Sequence, residues 1–216
     1  MSDDILFYHN PQSRSAMVRA ALEEFGLPYR TEILDFTQGE NRREQFTKIN
    51  PMGKIPTIVH NGTVVTESAA IIAYLADAFP EKGLAPSPTS PDRGTYLRWL
   101  FFTAGCFEPA FFDVMMKRPP AEKRALGYGS YEDVINAIEI ALTPGPWILR
   151  DTFSAADLYL GAELSFATRF GGPGLAENRI IQDYVARYQS RPGVAKAAAD
   201  DQAMIAQWQK ANAPAS

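Results

Sequence analysis

The sequence predicts an α+β domain with the element order βαβαββα, followed by an all-α helical bundle. Three observations carry that expectation. Short apolar runs alternate with helical periods from Ile5 to about Phe79. A proline-rich stretch at 80–91 then interrupts the chain. Beyond it no convincing strand pattern appears. The expected layout is a first domain over residues 1–80, a linker over 81–91 and a helical domain over 92–216.

In the first domain, Ile5-Leu6-Phe7-Tyr8 reads as a strand and Ser13 to Phe25 as a helix. Met17, Val18, Ala21, Leu22 and Phe25 recur at helical spacing and define its apolar face. Gly26 stands where a helix C-terminus favours a left-handed residue. Tyr29 to Leu34 gives a second strand, and a helical connection between the two predicts that they run parallel. A polar stretch from Gly39 to Lys48 predicts a short helix, broken by Asn50-Pro51 and Gly53.

Next comes Ile55-Pro56-Thr57-Ile58-Val59, an Asn61-Gly62 turn and Val64-Val65. Asn-Gly accepts positive φ at both central positions of a type I′ turn, so the flanking strands are antiparallel neighbours. A third helix is expected from Glu67 to Ala78, with Ala70, Ile71, Tyr74 and Leu75 facing inward. The resulting order is the thioredoxin-like arrangement.

The interruption holds Pro80, Gly83, Pro86, Pro88 and Pro91, which stiffen it as a linker. Ser90-Pro91 predicts the start of a long helix, with the serine capping and the proline first inside. Pro109 should kink that helix. Further helices are expected at about 121–142, 154–170, 177–190 and 193–209. Ser154-Ala155-Ala156-Asp157 sets a capping hydroxyl three residues before an acid.

Composition narrows the function classes. Hydrophobic content of 46% and charged content of 21% are those of an ordinary globular protein. A net charge of −4 gives no sign of a nucleic-acid partner. Cys106 is the single cysteine, so no internal disulfide framework or CxxC pair exists, and a reducing cytoplasm is expected. The acidic start Met1-Ser2-Asp3-Asp4 has no signal-peptide character, and the apolar run Ala69 to Ala76 is far too short to span a membrane. His9 and His60 suggest no metal site, and no zinc-ligand cluster is apparent.

Three groups of residues are candidates for chemistry. Pro56 either punctuates a strand or forms a cis bond that presents the backbone of Ile55 to an extended ligand. Glu67 and Ser68 either favour a helix start or hold the ammonium and carboxylate of an α-amino-acid head group. Ser13 or Ser15 caps the first helix, and a hydroxyl at that place also suits donation to a thiolate. Together the hairpin and helix start describe a clamp for a small acidic peptide. Phe101, Phe102, Phe107, Phe111, Phe112, Met115 and Met116 crowd one helical segment; most are expected in the core, a few as an apolar wall. Cys106 is expected among them as a small buried apolar residue.

On these residues the chain resembles the cytosolic glutathione transferases over nearly its whole length. The resemblance is carried by Ser13-Arg14-Ser15 after the first strand, Lys54-Ile55-Pro56, Glu67-Ser68-Ala69-Ala70-Ile71, the proline-rich linker and Phe153-Ser154-Ala155-Ala156-Asp157-Leu158. The fine pattern is similar to a bacterial branch with Ser-Arg-Ser in place of tyrosine or cysteine signatures. The resemblance implies glutathione as co-substrate and no metal. It also implies an apolar electrophile as second substrate, set against the helical domain, and a homodimer. Ile55 would pair by its backbone with the cysteinyl unit, Glu67 and Ser68 would hold the γ-glutamyl end, and Lys54 would reach the glycyl carboxylate. For the thiolate donor the window contains Ser13, Tyr8 and Ser15, ranked in that order.

Overall fold

The structure, a computed structural model, describes residues 4–119 and 121–211, so Met1 to Asp3 of the acidic start lie outside it. In chain order the first elements are β1 (Ile5–His9), α1 (Ser15–Phe25), β2 (Tyr29–Ile33), α2 (Glu44–Thr47), β3 (Thr57–His60), β4 (Thr63–Thr66) and α3 (Ser68–Ala78). There follow α4 (Arg93–Phe102), α5 (Glu108–Met115), α6 (Tyr131–Leu142), α7 (Ala155–Arg169), α8 (Arg179–Gln189) and α9 (Pro192–Ala211). The chain thus has a thioredoxin-like α+β N-terminal region and a helical C-terminal region. Two compact units result: residues up to Tyr74 together with those from Arg191 onward, and Leu75–Ser190. The last helix therefore groups with the N-terminal sheet and not with the helices before it.

In the first unit the sheet order is β2-β1-β3-β4. β1 runs parallel to β2 and antiparallel to β3, and β3 and β4 form the antiparallel hairpin. Asn61 and Gly62 close that hairpin at φ 50° and 79°, the positive values that the Asn-Gly pair was expected to supply. Met17, Val18, Ala21, Leu22 and Phe25 of α1 are all buried, as their spacing predicts. Gly26 ends α1 in the left-handed region and its N–H bonds back to Glu23. An apolar cluster holds Tyr8, Leu34 and Phe46, with Leu6, Ile49, Ile55 and Val59 packed on it. Each such side chain contributes about 1.5–3 kcal/mol by burial.

α9 lies directly on α1. A Cβ on Gly193 would stand 2.4 Å from the Glu24 Cα, so only glycine lets the two backbones meet there. Glu24 also accepts hydrogen bonds from the Gly193 N–H at 3.1 Å and the Arg191 Nε at 2.6 Å. Lys196 pairs with Glu23 at 2.9 Å.

Several local expectations are corrected. The polar stretch before Asn50 forms a 3₁₀ turn at Glu40–Arg42 and a single helical turn, α2, since Arg43 between them is extended. α3 begins at Ser68, and Ile71, Ile72, Leu75 and Ala76 are its buried apolar residues, whereas Ala70 is exposed and Tyr74 half-buried. α4 begins at Arg93, not at Pro91: the Ser90 hydroxyl accepts the Asp92 N–H at 3.2 Å and makes a turn rather than a cap. The segment expected to be helical from about 121 holds only a 3₁₀ turn at Lys123–Ala125, because Gly129 takes φ 74° and Ser130 caps α6 instead.

In the second unit, a π-helical turn over Thr103–Phe107 joins α4 to α5 just before Pro109. Proline has no N–H to continue the α-helical ladder, and the wider turn absorbs that loss. Of the aromatic crowd here, Phe107 and Phe111 are fully buried, whereas Phe101, Met115 and Met116 are exposed. Cys106 is only half-buried, which corrects the expected interior position; burial still pushes its thiol pKa up. The capping box forms as its spacing predicts. The buried Asp157 carboxylate accepts from Ser154 N and Oγ, from Ile148 N and from the Tyr184 hydroxyl. No helix among the described residues is long and apolar enough to cross a membrane.

Candidate functional site

Sheet register gathers the candidate residues at one end of the first unit. Tyr8 of β1 stands opposite Thr57 of β3, and Thr57 opposite Thr66 of β4. The chain therefore leaves β1 towards Ser13, enters β3 from Ile55-Pro56 and leaves β4 towards Glu67-Ser68 at the same edge. Three segments far apart in sequence meet because the two antiparallel pairings put a strand end beside a strand start.

The entry to β3 is held by Asn50, which is 3% exposed. Its Nδ2 donates to the Lys54 carbonyl at 2.8 Å and to the Thr57 hydroxyl at 3.2 Å. The Ile55–Pro56 peptide is cis, as the functional alternative for Pro56 required. Pro56 is buried, Ile55 half-buried and Lys54 exposed. Gly53 has φ 60°, and a Cβ there would lie 2.7 Å from the Asn41 carbonyl oxygen.

At the start of α3, Glu67 is exposed and Ser68 is 9% exposed. Glu67 has φ 66°, an uncommon value for a side-chain-bearing residue. Its carbonyl accepts the Ile71 N–H at 2.9 Å, so the residue stands just outside the helix and its side chain faces solvent. The N–H groups of the first turn and the helix dipole favour an anion there.

The third segment is a knot of short hydrogen bonds after β1. Asn10 is 4% exposed; its Nδ2 donates to the Leu34 carbonyl and its Oδ1 accepts the Gln12 N–H. The Ser13 and Ser15 hydroxyls lie 2.9 Å and 3.0 Å from the Asn10 carbonyl, and 2.7 Å from each other. Neither serine is the cap of α1 that was expected: Arg14 holds that position and offers no side-chain bond. The Ser13 hydroxyl instead accepts the Ser15 N–H at 3.1 Å. Ser13 is half-buried, whereas Ser15 is 0% exposed and is also bonded to the His9 ring.

Tyr8 is the last residue but one of β1. Its ring packs on Phe46 at 5.0 Å between centroids, and it lines an open cavity of about 400 Å³ together with Glu32, Arg43 and Ile49. Burial, and then the nearby Glu32 carboxylate, push the Tyr8 phenol pKa up. Such a phenol is a weaker acid than in water, and it holds its proton.

Sequence reasoning missed Asn10, Asn50 and the His9–Asp201 pair. Asn50-Pro51 was legible only as a helix breaker, and Asp201 stands 192 residues from His9 with no motif to link them. Among the described residues no group of three or more His, Cys, Asp or Glu side chains is placed to hold a metal ion.

Comparison with known proteins shows similarity to glutathione transferases. Residues 4–77 match the family model described as glutathione S-transferase, N-terminal domain. Protein LigF of Sphingobium sp. is 38% identical over 93 residues, 43% of this chain but only 36% of that protein. Glutathione S-transferase GstA of Escherichia coli O157:H7 is 28% identical over 194 residues, covering 88% of this chain and 94% of its own. Among solved structures, a glutathione transferase from Methylococcus capsulatus superposes with a TM-score of 0.78 at 28% identity, covering 92% of this chain and 99% of its own. A glutathione transferase homologue from Sulfitobacter with bound glutathione has a TM-score of 0.73 at 25% identity, covering 94% and 99%. Residues 4–77 thus match the glutathione S-transferase N-terminal domain, and over most of its length the chain is similar in sequence and fold to glutathione transferases.

Proposed function

We propose that the chain is a glutathione S-transferase of the Ser-Arg-Ser bacterial type, binding glutathione at this sheet edge and transferring its sulfur to apolar electrophiles. The observation that carries the proposal is the convergence of Ser13, Ile55 and Glu67-Ser68 through the Tyr8–Thr57–Thr66 register. The glutathione bound to the Sulfitobacter homologue supports the same choice of ligand.

In this reading the Ile55 backbone pairs with the cysteinyl unit beside the cis Pro56. Glu67 takes the γ-glutamyl ammonium, while Ser68 and the α3 N-terminus take its carboxylate. Lys54, exposed at the loop, takes the glycyl carboxylate. Ser13, the half-buried hydroxyl, is assigned as the donor to the thiolate, with Ser15 behind it and Tyr8 holding the sheet edge. Each pKa unit by which the site lowers the thiol is worth about 1.4 kcal/mol in favour of the anion. Fixing the thiolate in place supplies the rest of the acceleration through orientation. A cytoplasmic homodimer acting in detoxification completes the proposal.

The test combines glutathione titration, ultraviolet absorbance of the bound thiolate and a conjugation assay with an aromatic halide. Binding, thiolate and turnover together are the expected result; thiolate and turnover both absent sink the enzyme reading.

A second reading is a non-catalytic glutathione-binding module of the same fold. It is favoured by one observation: the Ser13 hydroxyl is already engaged by Asn10 and Ser15. Binding without thiolate is its signature. Thiolate with no conjugation directs the search to peroxide reduction, isomerisation or lyase chemistry by the same sulfur.

A further inference from the structure

Behind Ser13 a chain of buried polar groups runs into the first unit. Ser13 Oγ lies 2.7 Å from Ser15 Oγ, which lies 2.8 Å from Nδ1 of His9. Nε2 of His9 in turn lies 2.8 Å from Oδ1 of Asp201 on α9. Ser15 and His9 are 0% exposed and Asp201 6%. Nothing in the clamp for the peptide requires a titratable ring and a carboxylate in this interior.

Hydrogen accounting gives the chain a direction. The ionised Asp201 only accepts, so it takes a proton from Arg19 Nη1 and one from His9 Nε2. In the neutral ring Nδ1 is then an acceptor, and the Ser15 hydroxyl is its donor. When the two hydroxyl protons turn from the Asn10 carbonyl, 2.9 Å and 3.0 Å away, into the chain, Ser15 Oγ accepts from the Asn10 N–H at 3.0 Å and from the Ser13 hydroxyl. Each link hands its proton inward.

Charged and titratable groups from three elements surround His9. From α1, Arg19 and Glu23 face this cluster; from α9, Lys196, Asp200 and Asp201; from β2, Tyr29. Three carboxylates (Glu23, Asp200, Asp201) thus meet two cations (Arg19, Lys196) beside the ring. Tyr29 stays neutral, its pKa pushed up to about 12 by burial and by the Glu23 carboxylate. The neighbouring Glu24–Arg191 pair balances itself.

We propose that His9, a positioning residue held by Asp201, receives the thiol proton of bound glutathione through Ser13 and Ser15. The proposal rests on the glutathione reading above. The thiol S–H bond breaks and its proton goes to Ser13 Oγ; the Ser13 proton passes to Ser15 Oγ, and the Ser15 proton to Nδ1 of His9. One S–H and two O–H bonds break, two O–H and one N–H form, and thiol plus imidazole become thiolate plus imidazolium. No other reactant is needed. After the transfer every donor in the chain points towards the sulfur, and Asp201 stabilises the new charge, as the carboxylate does in a Ser-His-Asp triad.

The test counts protons. Glutathione is titrated into the wild-type protein by calorimetry in two buffers of different ionisation enthalpy, while thiolate is read by ultraviolet absorbance. Expected is a thiolate that forms with little proton release, because His9 keeps the proton. Ser15→Ala breaks the chain and Asp201→Asn removes its counter-charge. Each is expected to bind glutathione near the wild-type affinity, to raise the apparent pKa of the bound thiol by about one or more, a tenfold loss of thiolate at neutral pH, and to release a proton for each thiolate still formed. Ser15→Thr, which keeps the hydroxyl, restores the wild-type behaviour. One proton released per thiolate in the wild type overturns the relay, as do variants with unchanged thiolate; the wild-type count needs no variant to fold. A wild-type protein that binds no glutathione overturns the functional reading and the relay together.

Discussion

Gly193 of α9 sits against Glu24 of α1 with room for a hydrogen and nothing larger, since a Cβ would lie 2.4 Å from the Glu24 Cα. This contact ties the C-terminal helix to the sheet unit and brings Asp201, eight residues further along α9, over His9.

Gly193→Ala is expected to destabilise the protein. Alanine gains roughly 1 kcal/mol of helix propensity over glycine, but a collision with backbone forces the helices apart at about 1–3 kcal/mol. The collision wins, because the opposing atoms are main chain and cannot swing away. Urea unfolding of the variant reads the difference. A midpoint at or above that of the wild type contradicts the packing argument.

Asp157→Asn keeps the size of the side chain at the start of α7 and spoils its chemistry. Four donors converge on this carboxylate, and an amide group turns one of its own donors towards them. The expected cost is about 2 kcal/mol or more, the range for leaving buried donors unpaired. Asp157→Ala should cost at least as much, with thermal unfolding as the check.

Ser13→Ala tests the thiolate donor. Removal of one donor aimed at a developing anion typically costs on the order of 10²-fold or more in kcat. Glutathione affinity should change little, because the contacts proposed for Ile55, Glu67 and Ser68 are left in place. Steady-state kinetics with an aromatic halide separates the two effects. Equal kcat for variant and wild type would transfer the role away from Ser13.

Glu67→Gly separates strain from function. Glycine at φ 66° relieves roughly 1 kcal/mol of backbone cost, and its greater freedom in the unfolded chain offsets about the same amount. Stability is therefore expected to stay close to wild type. Glutathione affinity should fall about tenfold, the loss of one exposed ion pair with hydrogen bonding worth about 1.4 kcal/mol. Paired unfolding and binding titrations decide whether the left-handed glutamate is there for the ligand.

Tyr29 and Tyr131 are among the raised phenols that add stability in alkali. Burial, with Glu23 for Tyr29 and Glu132 for Tyr131, raises both phenols from 10 to about 12. A folded-state pKa above the unfolded value means that the folded chain holds its proton more tightly. The resulting stability is complete below pH 10 and is lost as pH rises towards 12. Tyr29→Phe should flatten that loss, as measured by unfolding at a series of pH values; an unchanged slope would remove Tyr29 as a cause.

Much of the fold is legible in the residues themselves. The α1 face, the glycine that ends it, the Asn-Gly hairpin and the Ser154–Asp157 box all depend on neighbours within a few positions, where propensity and spacing act directly. The helix starts at Ser90-Pro91 and near residue 121 were misread for the same reason: local capping signals there serve turns, and only the packing of α4 and α6 selects where a helix begins. Among the site residues, Pro56, Glu67 and Ser68 stand out in sequence because each sits at an element start with special backbone demands.

By itself the sequence determined the strand and helix order and the antiparallel hairpin, since these are set by local backbone preference and apolar period. Tertiary structure alone decided that Ser13, Ile55 and Glu67 share one sheet edge, that Ser15 is sealed inside, and that α9 carries Asp201 to His9. Those relations depend on strand register and on two backbones meeting at Gly193, and contacts across 192 residues of chain leave no periodic trace in the sequence.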